Sequence, residues 1–146
     1  MMLRDLLAEH KDERVCVVGP TCCGKSYLCK DIDGAVDMDD LLFRGGLLTL
    51  SEQAYVCQDP WTEEIGLTMS RLARERVRIA PGNPVFGTVV LDADVYVLLL
   101  VDEVVLRERA KLRHIRFADV QNMSVQLQRE LAGKRVIEFL MGEQGS

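Results

Sequence analysis

The stretch VCVVGPTCCGKSYL, Val15 to Leu28, decides the fold that the rest of the chain must fit. It opens with small or β-branched apolar residues and then reaches a glycine, which is typical of a buried strand that ends in a tight turn. We predict a strand over Arg14–Val18 and a helix over Ser26–Asp31, with a glycine-rich connection between them.

That connection fits the pattern G-x-x-x-x-G-K-[ST] at every position from Gly19 to Ser26. Its glycines let several backbone N–H groups point into one hollow, and the following helix directs the positive end of its dipole there. Lys25 adds a charge for the β- and γ-phosphates, and the Ser26 hydroxyl is a ligand for Mg²⁺. The pattern predicts a nucleoside triphosphate site, for ATP with Mg²⁺, and a chance glycine-rich turn is the weaker alternative. The predicted binding residues are Gly19, Pro20, Thr21, Cys22, Cys23, Gly24, Lys25, Ser26 and Tyr27.

Two cysteines lie inside this loop, and they allow two interpretations. Cys22 and Cys23 are either small side chains at permissive positions or reactive thiols, because a helix N-terminus and a lysine stabilise a thiolate. In the second case, oxidation or alkylation would block nucleotide binding. The chain has five cysteines without paired C-x-x-C spacing, which indicates reduced thiols and a cytoplasmic protein.

Length and composition restrict the class of protein. The 146 residues suit one domain, residues 1–146, and 48% hydrophobic with 28% charged residues is ordinary for a globular chain. The net charge of −5 makes nucleic acid a possible but disfavoured partner. No apolar run is long enough to span a membrane, so we expect no membrane partner. We also expect the protein to be a monomer or a homodimer.

Strand and helix patterns alternate along the rest of the chain. This alternation predicts an α/β fold of three layers, a parallel sheet of about five strands flanked by helices. The further predicted helices are 3–11, 39–44, 51–58, Trp61–Glu75, Glu103–Arg113 with Asp102 as its cap, and Val120–Ala132. The further predicted strands are Ala35–Asp37, Arg76–Ala80 before the turn Pro81–Pro84, Val95–Val101, and Lys134–Leu140, whose spacing would also fit a helix.

Acidic residues follow the second predicted strand in Val36-Asp37-Met38-Asp39-Asp40. With the loop, this segment resembles the small P-loop kinases, the group of shikimate, gluconate and nucleoside-monophosphate kinases. Shikimate-kinase-like proteins carry an Asp-x-Asp at this place, at the end of the second strand. The resemblance implies that Asp37 and Asp39 are catalytic with Lys25, one carboxylate near Mg²⁺ (Asp37 with Ser26) and one accepting the proton of the attacking hydroxyl. The alternative is an acidic helix cap, with Asp39 or Asp40 as the N-cap.

The stretch VYVLLLVDEVVLRERAKLR, Val95 to Arg113, and the following Arg113-His114-Ile115-Arg116 resemble the fourth strand, helix and lid of the same kinases. The resemblance implies a lid at about 113–120 whose arginines close over the phosphates. Arg113 is then the first candidate for a catalytic role, and Arg109 and Arg116 are candidates for binding the cofactor. The alternative is a solvated charged helix face.

The acceptor side matches the kinases only loosely, so the sequence leaves the acceptor open among small metabolites, nucleotides and modified nucleosides. The turn Pro81-Gly82-Asn83-Pro84 stands where shikimate kinases carry a glycine-rich acceptor turn. The resemblance implies that Gly82 and Asn83 form a wall of the acceptor site, and a plain turn is the alternative. The other acceptor candidates are Arg44, Trp61 and the arginines at 71, 74, 76 and 78, for which core or solvated-surface roles are the simpler interpretations.

Two rival functions remain. Leu98-Leu99-Leu100-Val101-Asp102-Glu103 also fits the Walker B strand of an ATPase, in which Asp102 would hold Mg²⁺ and Glu103 would activate water. The second rival function is that of a nucleotide-binding module without catalytic activity. The intact Lys25, Ser26, Asp37 and Asp39 argue against the silent module, and helix capping explains Asp102 without an ATPase. We expect a kinase that transfers the γ-phosphate of ATP to a hydroxyl or phosphate.

Overall fold

The computed structural model describes residues 2–20, 23–58 and 62–141, with the side chain of Ser26 outside the description. These residues form seven helices and five strands. In chain order the elements are α1 (Leu3–Glu9), β1 (Val15–Val18), α2 (Lys25–Lys30), β2 (Val36–Asp37), α3 (Met38–Phe43), α4 (Leu50–Val56), α5 (Glu63–Arg76), β3 (Val85–Gly87), β4 (Val95–Leu100), α6 (Glu103–Leu112), α7 (Phe117–Leu131) and β5 (Val136–Leu140).

The five strands form one sheet in the order β2-β3-β1-β4-β5, and every pairing is parallel. The central strand β1 is buried along its whole length, as its unbroken apolar sequence predicts for a strand covered on both faces. Val18 at its end pairs with Gly87 of β3 and Leu98 of β4. The carboxyl ends of the strands therefore meet at one edge of the sheet.

Helices cover both faces of this sheet. Side chains alternate along a strand, and Cys16 and Val18 of β1 join one hydrophobic cluster while Val15 and Val17 join the other. The first cluster includes α3, α4 and α5, and the second includes α1, α2 and α6. Helix α7 contributes to both. The predicted α/β class, with a parallel sheet of five strands flanked by helices, is confirmed.

The predicted third strand over Arg76–Ala80 is wrong. Arg76 is the last residue of α5, and the strand that pairs with β1 is Val85–Gly87. Val77 and Ile79 are both buried in the core, so the alternating pattern that resembles a strand comes from packing outside the sheet. As a consequence, the turn 81–84 precedes the third strand instead of following it.

Most other helices and strands begin or end a few residues away from their predicted bounds. Helix α5 begins at Glu63, with the Thr62 hydroxyl accepting from the Ile65 N–H at 3.2 Å, and Trp61 lies outside the described residues. Helix α7 begins at Phe117, whose ring lies 4.4 Å from the Arg107 guanidinium. The ambiguous segment near the end of the chain is a strand, β5, which pairs with β4.

One ion pair ties α4 to the end of α5. The Arg76 guanidinium contacts both oxygens of Glu52, at 2.5 and 2.8 Å, and also donates to the Leu47 carbonyl at 2.9 Å. The Arg76 hydrogen bond, followed by that from the Thr49 backbone N–H, lowers the pKa of Glu52 from its ordinary 4.5 to about 2. The ionised carboxylate is therefore favoured in the folded state.

This ion pair predicts a pH-dependent stability. A lowered folded-state pKa contributes stability that is present above pH 4.5 and is lost as the pH falls toward 2. We expect Glu52→Gln to lower the melting temperature at pH 7 and to differ less from the wild type as the pH drops. Thermal melts across that range test this, with Glu75→Gln in the exposed Arg71–Glu75 pair as a control that should change little. A pH-independent difference would contradict it.

A left-handed residue ends α6. His114 has a φ of 58°, and the Ile115 N–H donates to the Ala110 carbonyl at 2.9 Å, which is the hydrogen bond of a Schellman turn. Glycine is the usual residue at such a position because a Cβ is strained there.

We expect His114→Gly to raise the free energy of unfolding by about 0.5–1 kcal/mol, as measured by urea denaturation. Gly133 is the matched control, because its φ is 80° and nothing lies within 4 Å of an added Cβ. Gly133→Ala should destabilise by a similar amount. A destabilising His114→Gly would mean that the imidazole makes a contribution larger than the strain.

Candidate functional site

The candidate site lies at the edge of the sheet where the parallel strands end. The loop after Val18 leaves the central strand there, between the ends of β3 and β4. Asp37 ends β2 and pairs with Phe86 of β3, so it reaches the same edge. In open parallel sheets this edge is the usual place for ligand binding.

Two glycines shape the loop. Gly24 has a φ of 96° and is the N-cap of α2, a conformation that a side chain would strain. A Cβ on Gly19 would lie 2.7 Å from Cys23 Sγ and 3.3 Å from Leu99 Cβ, so a side chain has no room there. Two predicted binding residues, Thr21 and Cys22, lie outside the described residues, and so does the side chain of Ser26. Their roles stay predictions.

Lys25 is folded back over the loop. Its Nζ donates to the Pro20 carbonyl at 2.8 Å and lies 3.5 Å from Cys23 Sγ. Cys23 is completely buried, so a thiol reagent can reach it only when the loop opens. The described cysteines, at 16, 23, 29 and 57, are free thiols. Tyr27, in the first turn of α2, is 69% exposed.

Asp37 is the N-cap of α3. Its Oδ1 accepts from the Asp39 N–H at 2.8 Å and more weakly from the Asp40 N–H at 3.4 Å. An acidic helix cap therefore exists, but the expected capping residue, Asp39 or Asp40, is wrong. Because both hydrogen bonds go to Oδ1, the second oxygen of Asp37 accepts none from the part of the chain that is described.

Asp39 lies within electrostatic reach of Lys25. Partial removal from water raises the pKa of the Asp39 carboxyl, the neighbouring Asp37 carboxylate raises it further, and the Lys25 ammonium lowers it. The side chain still has an exposed surface that a reacting molecule can contact. Lys25, Asp37 and Asp39, which the sequence singled out, thus come together at one edge of the sheet.

The three candidate arginines differ in position. Arg109 is half-buried, and its Nη1 lies 3.4 Å from where a Cβ on Gly24 would be, so it reaches the loop. Arg116 forms an ion pair with Asp119, at 3.0 and 3.1 Å. Arg113 caps the C-terminus of α6 and is exposed, and no hydrogen bond or ion pair joins it to residues 19–20 or 23–26 as described.

The turn at 81–84 is not on the acceptor side of the loop. It precedes β3 and therefore lies at the opposite edge of the sheet, where the Asn83 amide donates to the Gly34 carbonyl at 2.8 Å. The interpretation of Gly82 and Asn83 as an acceptor wall is wrong for this reason. Trp61 is outside the described residues, and Arg44 is exposed, 3.9 Å from Asp40.

The four arginines named as acceptor candidates, at 71, 74, 76 and 78, all have partners within the fold, and Arg71 pairs with Glu75 at 3.4 Å. Arg74 pairs with Glu130 at 2.7 Å and donates to the Val90 carbonyl at 3.0 Å. Arg76 binds Glu52, as described above, and Arg78 donates to the Arg74 carbonyl at 3.0 Å. These contacts explain the four arginines without an acceptor.

Thr88 is a residue at this edge that the sequence reasoning missed. It follows Gly87 directly, and Gly87 pairs with Val18, so the half-buried Thr88 lies beside the start of the loop at Gly19. The available signal was the short apolar run Val85-Phe86-Gly87 after Pro84, since a proline commonly precedes a strand. Because the third strand was predicted at Arg76–Ala80, Thr88 was not recognised as a residue at the carboxyl end of a strand.

The rival ATPase residues lie at the end of β4. Asp102 Oδ1 accepts from the Val104 N–H at 2.8 Å and so caps α6, as its position in the sequence predicts. Glu103 pairs with Arg107 at 3.2 Å. Helix capping and a surface ion pair account for both residues.

Comparison with known proteins adds no family to this geometry, because no protein-family model and no curated protein matches the chain. Within residues 2–20, 23–58 and 62–141, no helix is long and apolar enough to cross a bilayer.

Proposed function

We propose that this chain is a small phosphotransferase with the P-loop kinase fold. It moves the γ-phosphate of ATP to a hydroxyl or phosphate of a small metabolite, nucleotide or modified nucleoside. One observation carries the proposal: the loop of the G-x-x-x-x-G-K-[ST] pattern and its Lys25 lie at the same carboxyl edge of the parallel sheet as Asp37, which ends β2, and Asp39, in the first turn of α3. A phosphate-binding lysine beside a candidate base is the arrangement that phosphoryl transfer requires.

Several of the described residues contribute to binding the phosphates. The Lys25 ammonium exchanges the Pro20 carbonyl for phosphate oxygens, and the loop N–H groups at the start of α2 bind the same group. Arg109, beside Gly24, adds positive charge that complements the charge on the transferring group.

The residues present also fit a magnesium ion. Mg²⁺ commonly takes only one or two protein ligands and keeps waters and phosphate oxygens for the rest. The second carboxylate oxygen of Asp37 and the predicted Ser26 hydroxyl would hold it. When bound, the ion neutralises charge on the phosphates.

Asp39 is the best candidate for the base. Its pKa is raised by partial burial and by Asp37, which makes the carboxylate a better proton acceptor than an ordinary aspartate. Asp37 is less suited, because one of its oxygens is already engaged in capping α3.

An acceptor panel with ATP and Mg²⁺ tests the proposal. The panel should contain nucleosides, nucleoside monophosphates, sugar acids, polyols and modified DNA. We expect ADP formation that depends on one acceptor, with phosphate recovered on that acceptor. ADP formation that ignores every acceptor would favour the ATPase, and ATP binding without turnover would favour the silent module. Absence of ATP binding would overturn all three.

A further inference from the structure

The Cys23 side chain occupies a space that the loop leaves by having glycine at position 19. Its sulfur lies 2.7 Å from where a Cβ on Gly19 would be, and Leu99 Cβ closes the other side of the same space, at 3.3 Å from that point. The residue is completely buried. The sulfur therefore has a position fixed by packing.

Lys25 contacts this fixed sulfur. Its Nζ lies 3.5 Å from Cys23 Sγ and donates to the Pro20 carbonyl at 2.8 Å. A lysine side chain is a flexible stem with a compact charge, so holding it in one place requires contacts along the loop. Sulfur is a weak hydrogen-bond acceptor. Because packing fixes this sulfur, the ammonium always meets its lone pairs at the same position.

We propose that Cys23 is a positioning residue for Lys25. The sulfur and the Pro20 carbonyl together hold the ammonium in one place at the start of α2 before a phosphate arrives. On binding, the ammonium turns from the carbonyl to a phosphate oxygen while the sulfur keeps the chain over the loop. The binding step rests on the proposed function, whereas the contact in the free protein does not.

Serine and alanine at position 23 form a matched pair of tests. Both are smaller than cysteine and lose the packing of its sulfur beside Gly19, but only serine retains an acceptor for the ammonium. A role in packing alone predicts that serine holds Lys25 no better than alanine does. A role in positioning predicts that serine behaves like the wild type and alanine does not.

The first measurement is the rate at which an acetylating reagent modifies Lys25 in the nucleotide-free protein, read by mass spectrometry. Lys30, at the far end of the same helix, is the internal reference. We expect Cys23→Ala to raise the Lys25 rate relative to Lys30 by about threefold and Cys23→Ser to leave it near the wild-type value. Equal Lys25 rates in all three proteins, or a serine variant that behaves like alanine, would overturn the proposal.

The second measurement is the dissociation constant for ATP with Mg²⁺, by titration calorimetry. Cys23→Ala should weaken binding by about threefold and Cys23→Ser should not. A wild-type protein that binds no ATP would overturn the proposed function, and the acetylation rates would still decide the contact. A wild type that binds ATP, with an alanine variant identical to it in both measurements, would overturn the positioning role alone.

Discussion

The Lys25→Ala protein is expected to bind ATP about 100-fold more weakly than the wild type, because it loses the ammonium that binds the phosphates in the proposed function. In the free protein, the contacts of that ammonium within the described part of the chain are with the Pro20 carbonyl and Cys23 Sγ. Few contacts within the fold are lost with it, so the unfolding temperature should change little. Calorimetric titration with ATP and Mg²⁺ gives the affinity directly.

Lys30→Ala is the matched control for this experiment. Lys30 belongs to the same short helix, α2, and lies at its opposite end, exposed to solvent. It should bind ATP as the wild type does. ATP should also raise the melting temperature of the wild type and of Lys30→Ala but not of Lys25→Ala, since a ligand stabilises only the state that binds it. Unchanged ATP affinity in Lys25→Ala would mean that the loop is not the phosphate site.

The loop and its two flanking elements could be predicted because their signals are local. An apolar run, a glycine and a Gly-Lys-Ser triplet lie within a dozen or so residues, and the strand, turn and helix follow from that order alone. Strand β4 was equally clear, because a continuous apolar run is typical of a strand covered on both faces. The reason that position 19 must be glycine was not visible, since it depends on where the Cys23 sulfur packs.

The third strand could not be located from the sequence because two segments compete for it. Val77 and Ile79 alternate with polar residues as in a strand, whereas β3 itself has only three residues and a weak pattern. Which segment pairs with β1 is decided by tertiary packing, which overrides local propensity in strands. Thr88 was missed for the same reason.

Ion-pair partners that are far apart along the chain could not be predicted from the sequence either. The pairing of Arg74 with Glu130 and of Arg76 with Glu52 joins residues that are far apart along the chain. No spacing rule within a helix identifies such partners, so those arginines could be interpreted as an acceptor surface. The N-cap of α3, Asp37, could not be identified either, because several nearby aspartates are equally suitable caps by residue type.

Asp39→Asn should lower the turnover number by about 10²–10⁴-fold, once the acceptor is known, while ATP affinity stays close to that of the wild type. An amide has almost the same shape as the carboxylate but cannot accept the proton of the attacking hydroxyl. Asp40→Asn is the matched control: it changes an exposed carboxylate in the same first turn of α3 and should retain activity. A rapid-quench assay of phosphate transfer separates the chemical step from binding.

The pH dependence of the same step distinguishes a base from a residue that only binds. Burial and then Asp37 raise the pKa of Asp39, so the wild-type turnover number should fall as the pH drops through that raised value. Asp39→Asn should lack this limb. It should also melt at a higher temperature near neutral pH, since a raised carboxyl pKa means that folding disfavours the charge. If turnover instead survives in Asp39→Asn and is lost in Glu103→Gln, Asp39 is not the base, and water activated by Glu103 becomes the better account of ATP cleavage.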